Sequence, residues 1–212
     1  MEKLQAALVP VTPFSQNCTL LWSPETKRGV VIDPGGDVPA IRDALAKTGF
    51  TVERILLTHG HLDHVGGAME LKNALGVEIV GPHEADRPIM ASVEMVAAQY
   101  GVAGMHNATS DRWLVEGDTV KVSETSFDVL HCPGHSPGSV VFVNRAQKFA
   151  LVGDVLFQGS VGRTDLPGGD TDTLIRSIKD KLLPLGDDFA FICGHGPTST
   201  IGQERLHNPF LQ

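Results

Sequence analysis

Scarcity narrows the field first. The 212 residues include 3 cysteines, 2 tryptophans and 1 tyrosine. Cys18, Cys132 and Cys193 are odd in number and widely spaced. That is no disulfide framework, and it fits a reducing compartment. Positive charge is short as well: 17 Lys and Arg face 25 Asp and Glu, a formal net charge of -8. A generic nucleic-acid binder or a basic membrane-surface protein would have no electrostatic attraction to its target, so neither partner is expected. No apolar run approaches the ~18 residues that a membrane span needs. The opening Met1-Glu2-Lys3-Leu4-Gln5 lacks a basic stretch followed by an apolar one, so no signal peptide is expected. A cytoplasmic monomer or small homo-oligomer acting on a small molecule is the expectation.

What is present reads as a globular protein. Hydrophobic residues make up 42% and charged ones 20%, which argues against disorder. A chain of this length buries roughly 70% of its unfolded surface, so one domain over residues 1–212 can fold without a staple. The 23 glycines and 13 prolines point to many tight turns. Nine histidines stand out, three of them within six residues.

Periodicity predicts strands over 4–11 and 18–22 around a Pro/Ser/Gln/Asn turn, then 29–33 and 54–58. Asp37 is expected to cap a helix with Pro39 in its first turn and Gly49 as its stop. A second helix is expected over 68–75, ended by Gly76, with a strand at 77–80. Residues 83–116 read poorly: Met90, Val93, Val96 and Ala97 have helical spacing inside an irregular excursion. Four short strands follow at 119–122, 127–131, 139–143 and 149–152. Leu174, Ile175, Ile178 and Leu182 form a helical stripe. A strand at 189–193 comes next, and Thr200-Ile201-Gly202-Gln203 has the form of a capping box. Strands alternate with helices in the first half, and both halves share a plan of several strands followed by helical material, which predicts two α/β halves stacked sheet to sheet with helices outside.

The sharpest signal is His59-Gly60-His61-Leu62-Asp63-His64. His59 and His61 are two apart, so in extended chain they face one side and can hold one metal ion. Asp63 and His64 are adjacent and diverge toward a second. Three imidazoles and a carboxylate crowded together without a metal would be costly to desolvate. Further ligands are on offer in similar settings, each just past a predicted strand: His135 in Pro133-Gly134-His135, Asp154 in Gly153-Asp154, and His195 in Gly194-His195-Gly196. Five imidazoles and two carboxylates suit Zn, with Fe or Mn as alternatives, and not Ca or Mg.

The order His-x-His-x-Asp-His, His, Asp, His resembles the metallo-β-lactamase superfamily, end to end. The resemblance implies a four-layer αβ/βα sandwich. It implies one ion held by His59, His61 and His135, and a second held by Asp63, His64 and His195, with Asp154 bridging the two. The stretch from Gly153-Asp154 through Arg163-Thr164-Asp165 to Gly168-Gly169-Asp170 looks like the glyoxalase II group. So does the ending Gly194-His195-Gly196-Pro197. This implies thioester hydrolysis, for instance of S-D-lactoylglutathione, by a hydroxide shared between the ions, with Asp63 and Asp154 as its catalytic carboxylates. Full-length members carry a helical C-terminal domain that builds much of the glutathione pocket. Only 17 residues follow His195, so weak glutathione recognition is expected. The rival is a persulfide dioxygenase of the same superfamily, with one iron on His59, His135 and Asp154.

Other residues invite lesser readings. Arg163 can steer an anionic substrate, but a buried ion pair with Asp165 that pins its loop is favoured. Cys132 and Cys193 are expected to pack behind the ligands. Asp33 is a candidate to hydrogen-bond a ligand histidine and fix its tautomer. His83 is expected in a surface turn, and His106, His131 and His207 as non-ligands.

Overall fold

Val30, Val31 and Ile32 are apolar and consecutive. A strand that carries such a run must be covered on both faces. The computed structural model describes residues 3–212. Its first half contains β1 (Gln5–Val11), β2 (Gln16–Trp22), β3 (Arg28–Ile32), α1 (Val38–Thr48), β4 (Thr51–Leu56), α2 (Leu62–Val65), α3 (Ala68–Leu75) and β5 (Glu78–Val80). The five strands lie in sequence order in one sheet. The β1–β2 and β2–β3 pairs are antiparallel, and the β3–β4 and β4–β5 pairs are parallel.

Two helices, α4 (Arg87–Met90) and α5 (Val93–Tyr100), follow. The second half contains β6 (Thr119–Val122), β7 (Thr125–His131), β8 (Val140–Asn144), β9 (Phe149–Gly153), β10 (Leu156–Phe157), β11 (Ser160–Val161), α6 (Thr171–Ser177), β12 (Ala190–Cys193), β13 (Ser199–Thr200) and α7 (Ile201–His207). Its six-stranded sheet runs β13-β12-β9-β8-β7-β6, and β10 and β11 form a separate hairpin.

Three apolar clusters divide the layers. Val30, Ile32 and Leu56 meet Val140, Phe142 and Phe127 between the sheets. Val31, Leu20 and Ile55 face Ile41, Leu45 and Leu71 of the first helical layer. Val141, Val143 and Val152 face Leu174, Ile178 and Ile201 of the second. Neighbouring residues of β3 and β8 therefore enter different clusters, which is why Val30–Ile32 and Val140–Val143 are unbroken apolar runs. This is the αβ/βα sandwich.

Local signals explain most boundaries. Helix α1 stops at Gly49 and α3 at Gly76, each left-handed, with φ of 69° and 68°. Thr200 caps α7 by accepting from Gln203 N at 3.2 Å. Three expectations are corrected. Asp37 does not cap α1: its own backbone is left-handed, and its carboxylate instead accepts from Thr12 N at 2.7 Å. The excursion over 83–116 is more ordered than its sequence indicates, because α4 and α5 seat Met90 and Val93 in the first helical cluster. The Leu174–Leu182 stripe is α-helical only to Ser177 and then passes into a π turn over Ile178–Leu182. Leu174, Ile178 and Leu182 are four apart, and the wider turn keeps all three buried.

Candidate metal centre

The sheets deliver four chain segments to one edge. His59 lies three residues past β4, His135 in the β7–β8 loop, Asp154 directly after β9 and His195 two residues past β12. Strands β9 and β12 are parallel with Gly153 opposite Cys193, so Asp154 and Gly194 leave the sheet side by side. Asn17 N donates to Gly194 O at 2.7 Å and Val140 N to Thr58 O at 2.8 Å, which ties the edges of the two sheets together.

Seven sequence-predicted residues converge there. His59, His61 and His135 form one group able to hold an ion, and Asp63, His64 and His195 another. Asp154 stands between them. Its Oδ2 is 3.6 Å from His135 Nε2 and 3.5 Å from His195 Nε2, and its Oδ1 is 3.3 Å from His64 Nε2.

Partners behind the rings set which nitrogen faces inward. His64 Nδ1 donates to Asp33 Oδ2 at 2.9 Å, the role expected of Asp33. His135 Nδ1 donates to Arg163 O at 2.8 Å and His195 Nδ1 to Phe14 O at 3.2 Å. Thr58 Oγ1 donates to Asp33 Oδ2 at 2.6 Å, which leaves its lone pair for His59 Nδ1 at 3.1 Å. Four histidines thus present Nε2 to the centre, and His61 presents Nδ1. His135 Nε2 lies 2.9 Å from His61 Nδ1 and 3.2 Å from His59 Nε2. Neutral rings held this way aim lone pairs at one another, an arrangement that a cation relieves. The buried His64 Nε2 and Asp154 Oδ1 have no hydrogen-bond partner among the described residues. The donor set fits divalent ions, as the fold class leads one to expect.

Burial and the neighbouring histidines push the His59 pKa well down. Burial and His135 lower His61 to about 3. Burial also opposes charge on His64, but Asp154 and Asp63 outweigh it and hold its pKa high. Asp154 stays a carboxylate against burial because His64, His135 and His195 surround it.

Reading the sequence missed some supporting residues. Asp86 is fully buried and accepts from Gly60 N at 2.7 Å, Ser136 Oγ at 2.7 Å and Gly138 N at 2.6 Å. It joins the two loops that carry His59, His61 and His135. No local pattern marks it. Gln16 and Asn17 were read as turn, yet β2 begins at Gln16, and Gln16 forms a bridge with His195. The Arg163–Asp165 pair exists, at 2.7 Å through both nitrogens, but it is exposed where a buried pair was expected. Its loop is held instead by packing and by the Arg163 carbonyl on His135. Cys132 and Cys193 are buried, with burial pushing them to about 12 and about 11, which makes them packing residues. His83 and His131 stack on each other at 4.2 Å, apart from the centre.

The centre floors a cavity of about 550 Å3. Its walls come from the β1–β2 turn, α4, α5 and the segment after β9.

A model of the metallo-β-lactamase superfamily matches residues 11–195. The chain is 47% identical to the hydroxyacylglutathione hydrolase GloC of Haemophilus influenzae, over 96% of each chain. Among solved structures it is similar to the BLEG-1 B3 metallo-β-lactamase, with 36% identity, TM-score 0.89 and coverage of 98% and 99%. It is also similar to TTHA1623 in a di-iron-bound form, with 37% identity, TM-score 0.86 and coverage of 97% and 100%. Among the described residues no helix is long and apolar enough to cross a membrane.

Proposed function

Since this chain belongs to the metallo-β-lactamase superfamily and is a metallo-hydrolase, we propose that it hydrolyses thioesters, S-D-lactoylglutathione and related acyl thioesters among them. The observation that carries this reading is the match to a hydroxyacylglutathione hydrolase along 96% of both chains.

His59, His61 and His135 would hold one divalent ion and Asp63, His64 and His195 a second, and the Asp154 carboxylate is placed to serve both groups. Zinc suits the set, and the di-iron form of TTHA1623 supports iron as an occupant. Bound there, the pair supplies a hydroxide at neutral pH and an electrophile for the carbonyl oxygen. The chain does the rest. Asp33, the Arg163 carbonyl and the Phe14 carbonyl fix three of the ring orientations. Asp63 and Asp154 are the carboxylates that line the cavity. Asp63 is the more accessible and accepts the proton that the attacking water gives up. Water oxygen bonds to the carbonyl carbon and the C–S bond breaks; of the two water protons one ends on the thiol and the other leaves to solvent, so the products are a carboxylate, a thiol and a proton. The leaving thiolate has a pKa of about 8.5, so no dedicated acid is needed.

The test is hydrolysis of S-D-lactoylglutathione by metal-quantified protein, before and after chelation and after metal is restored. Restored activity with two equivalents of metal supports the reading. Metal-replete protein that cleaves no thioester overturns it. Oxygen uptake with a persulfide and a single iron would install the dioxygenase in its place.

A further inference from the structure

The cavity walls and the cavity floor differ in chemistry. The polar residues His61, Asp63, His135, Asp154 and His195 belong to the floor. Above them the lining is mainly apolar, the exceptions being Ser92, Ser160, Arg163 and the hydroxyl of Tyr100. Helices α4 and α5 contribute Ile89, Val93, Val96 and Tyr100 on one side, and Phe157 and Leu166 stand among the lining residues after β9. Phe14 and Tyr100 meet edge to face with ring centroids 6.0 Å apart.

Charge is nearly absent from these walls. Among the described residues Arg163 is the one wall cation, and its Nε and Nη2 donate to Asp165 at 2.7 Å, so the carboxylate beside it offsets its charge. Among the described residues no wall acid stands ready to receive an ammonium group. A glutathione thioester carries two carboxylates and one ammonium at neutral pH. Buried here, those charges would lack partners and cost free energy. They must stay in solvent, and only the uncharged part of a substrate can gain from the walls. A lactoyl group is too small and too polar to fill about 550 Å3 of apolar space. Cavities of this size and lining take a ligand with a substantial apolar body and a few polar anchors.

We propose that the preferred substrates are thioesters of apolar acyl groups larger than lactoyl, selected by the wall that Ile89, Val96 and Tyr100 build over the metal centre. This rests on the thioesterase reading. It assigns α4 and α5 as the specificity element, and it makes the thiol's charged ends minor contributors. Each methylene carried into the walls leaves water, which favours the transition state wherever the acyl group is held in both states.

The experiment measures kcat/KM for acetyl, butyryl and hexanoyl thioesters on two thiols, glutathione and the uncharged N-acetylcysteamine, with S-D-lactoylglutathione as reference. The expected result is a rise of about two- to fourfold per methylene on both thiols, the upper figure corresponding to complete burial of a CH2 group. The thiols should differ by less than about tenfold. Ile89 and Val96 are partly exposed, so Ile89→Ser and Val96→Asp should fold. They are expected to flatten the dependence on acyl length while metal content and Tm hold. Fast lactoylglutathione cleavage with no gain from longer acyl groups overturns the inference and leaves the thioesterase standing. So does a preference for the glutathione thiol above about a hundredfold. Failure to cleave any thioester overturns both.

Discussion

Position 194 has no room for a methyl group. A Cβ there would collide with Asp154 Oδ1 and His64 Cε1. Gly194→Ala must displace groups that meet at both ion positions, and a shift of about 1 Å at a reacting centre can cost about a hundredfold in rate. The expected outcome is a loss of at least that size in kcat/KM, with metal content reduced and far-ultraviolet circular dichroism unchanged. Normal metal content would show that the collision is relieved elsewhere. Asp154→Ala should be the most damaging change among the seven candidate ligands. On the proposed assignment it removes the anion that both ions would share and would leave two positive charges facing each other. Elemental analysis beside Cys193→Ala, expected to be mild, checks this. The difference in legibility between these positions is physical. His59, His61, Asp63 and His64 are close in sequence, so their spacing alone implies a shared target. Asp86 does equally direct work on the same loops, but its three donors come from residues 60, 136 and 138. Nothing near Asp86 in the chain foretells them.

Caps and ties offer cleaner tests among the elements. Asp170 accepts from Thr173 N at 2.7 Å and opens α6, whose Leu174 is fully buried. Asp170→Ala is expected to cost about 1 kcal/mol. That corresponds to roughly 2–4 °C in Tm for a chain of this size, read by calorimetry. Asp111 joins α3 to β5: it accepts from Lys72 Nζ at 2.6 Å and from Ile79 N at 2.7 Å. The Lys72 hydrogen bonds, and then the Ile79 N–H, hold its carboxyl below the ordinary range. A depressed carboxylate adds stability above its unfolded pKa and loses it as pH falls through the folded value. Asp111→Asn should therefore destabilise at pH 7, by no more than about 1 kcal/mol for so exposed a pair. The difference should close as the pH falls below about 4. A gap that persists in acid would assign the effect to packing. Helix α3 was legible to the residue, because Gly76 supplies the stop and Leu71 the buried face. Asp37 misled because its side chain reaches Thr12, 25 positions earlier in the chain.

The alternation of strands and helices announces two α/β halves, because each half repeats the periodicities that layered packing requires. The order of the second sheet stays hidden, since β9 pairs with β12 across an intervening hairpin and α6, and no local signal records that choice. The same architecture decides what metal removal does. Three apolar clusters join the layers between and outside the sheets. Burial on that scale predicts a fold that holds without the ions, unlike small domains that unfold without their zinc. Each ion that binds only the folded state adds about 2.7–4.1 kcal/mol when present at 100 to 1,000 times its Kd. At roughly 2–4 °C per kcal/mol, chelation should lower Tm by about 5–16 °C for each ion removed. Circular dichroism should show the metal-free protein still folded and cooperative, and added metal should restore Tm. A chelated protein without a thermal transition would mean that the centre, and not the three clusters, holds the sheets together.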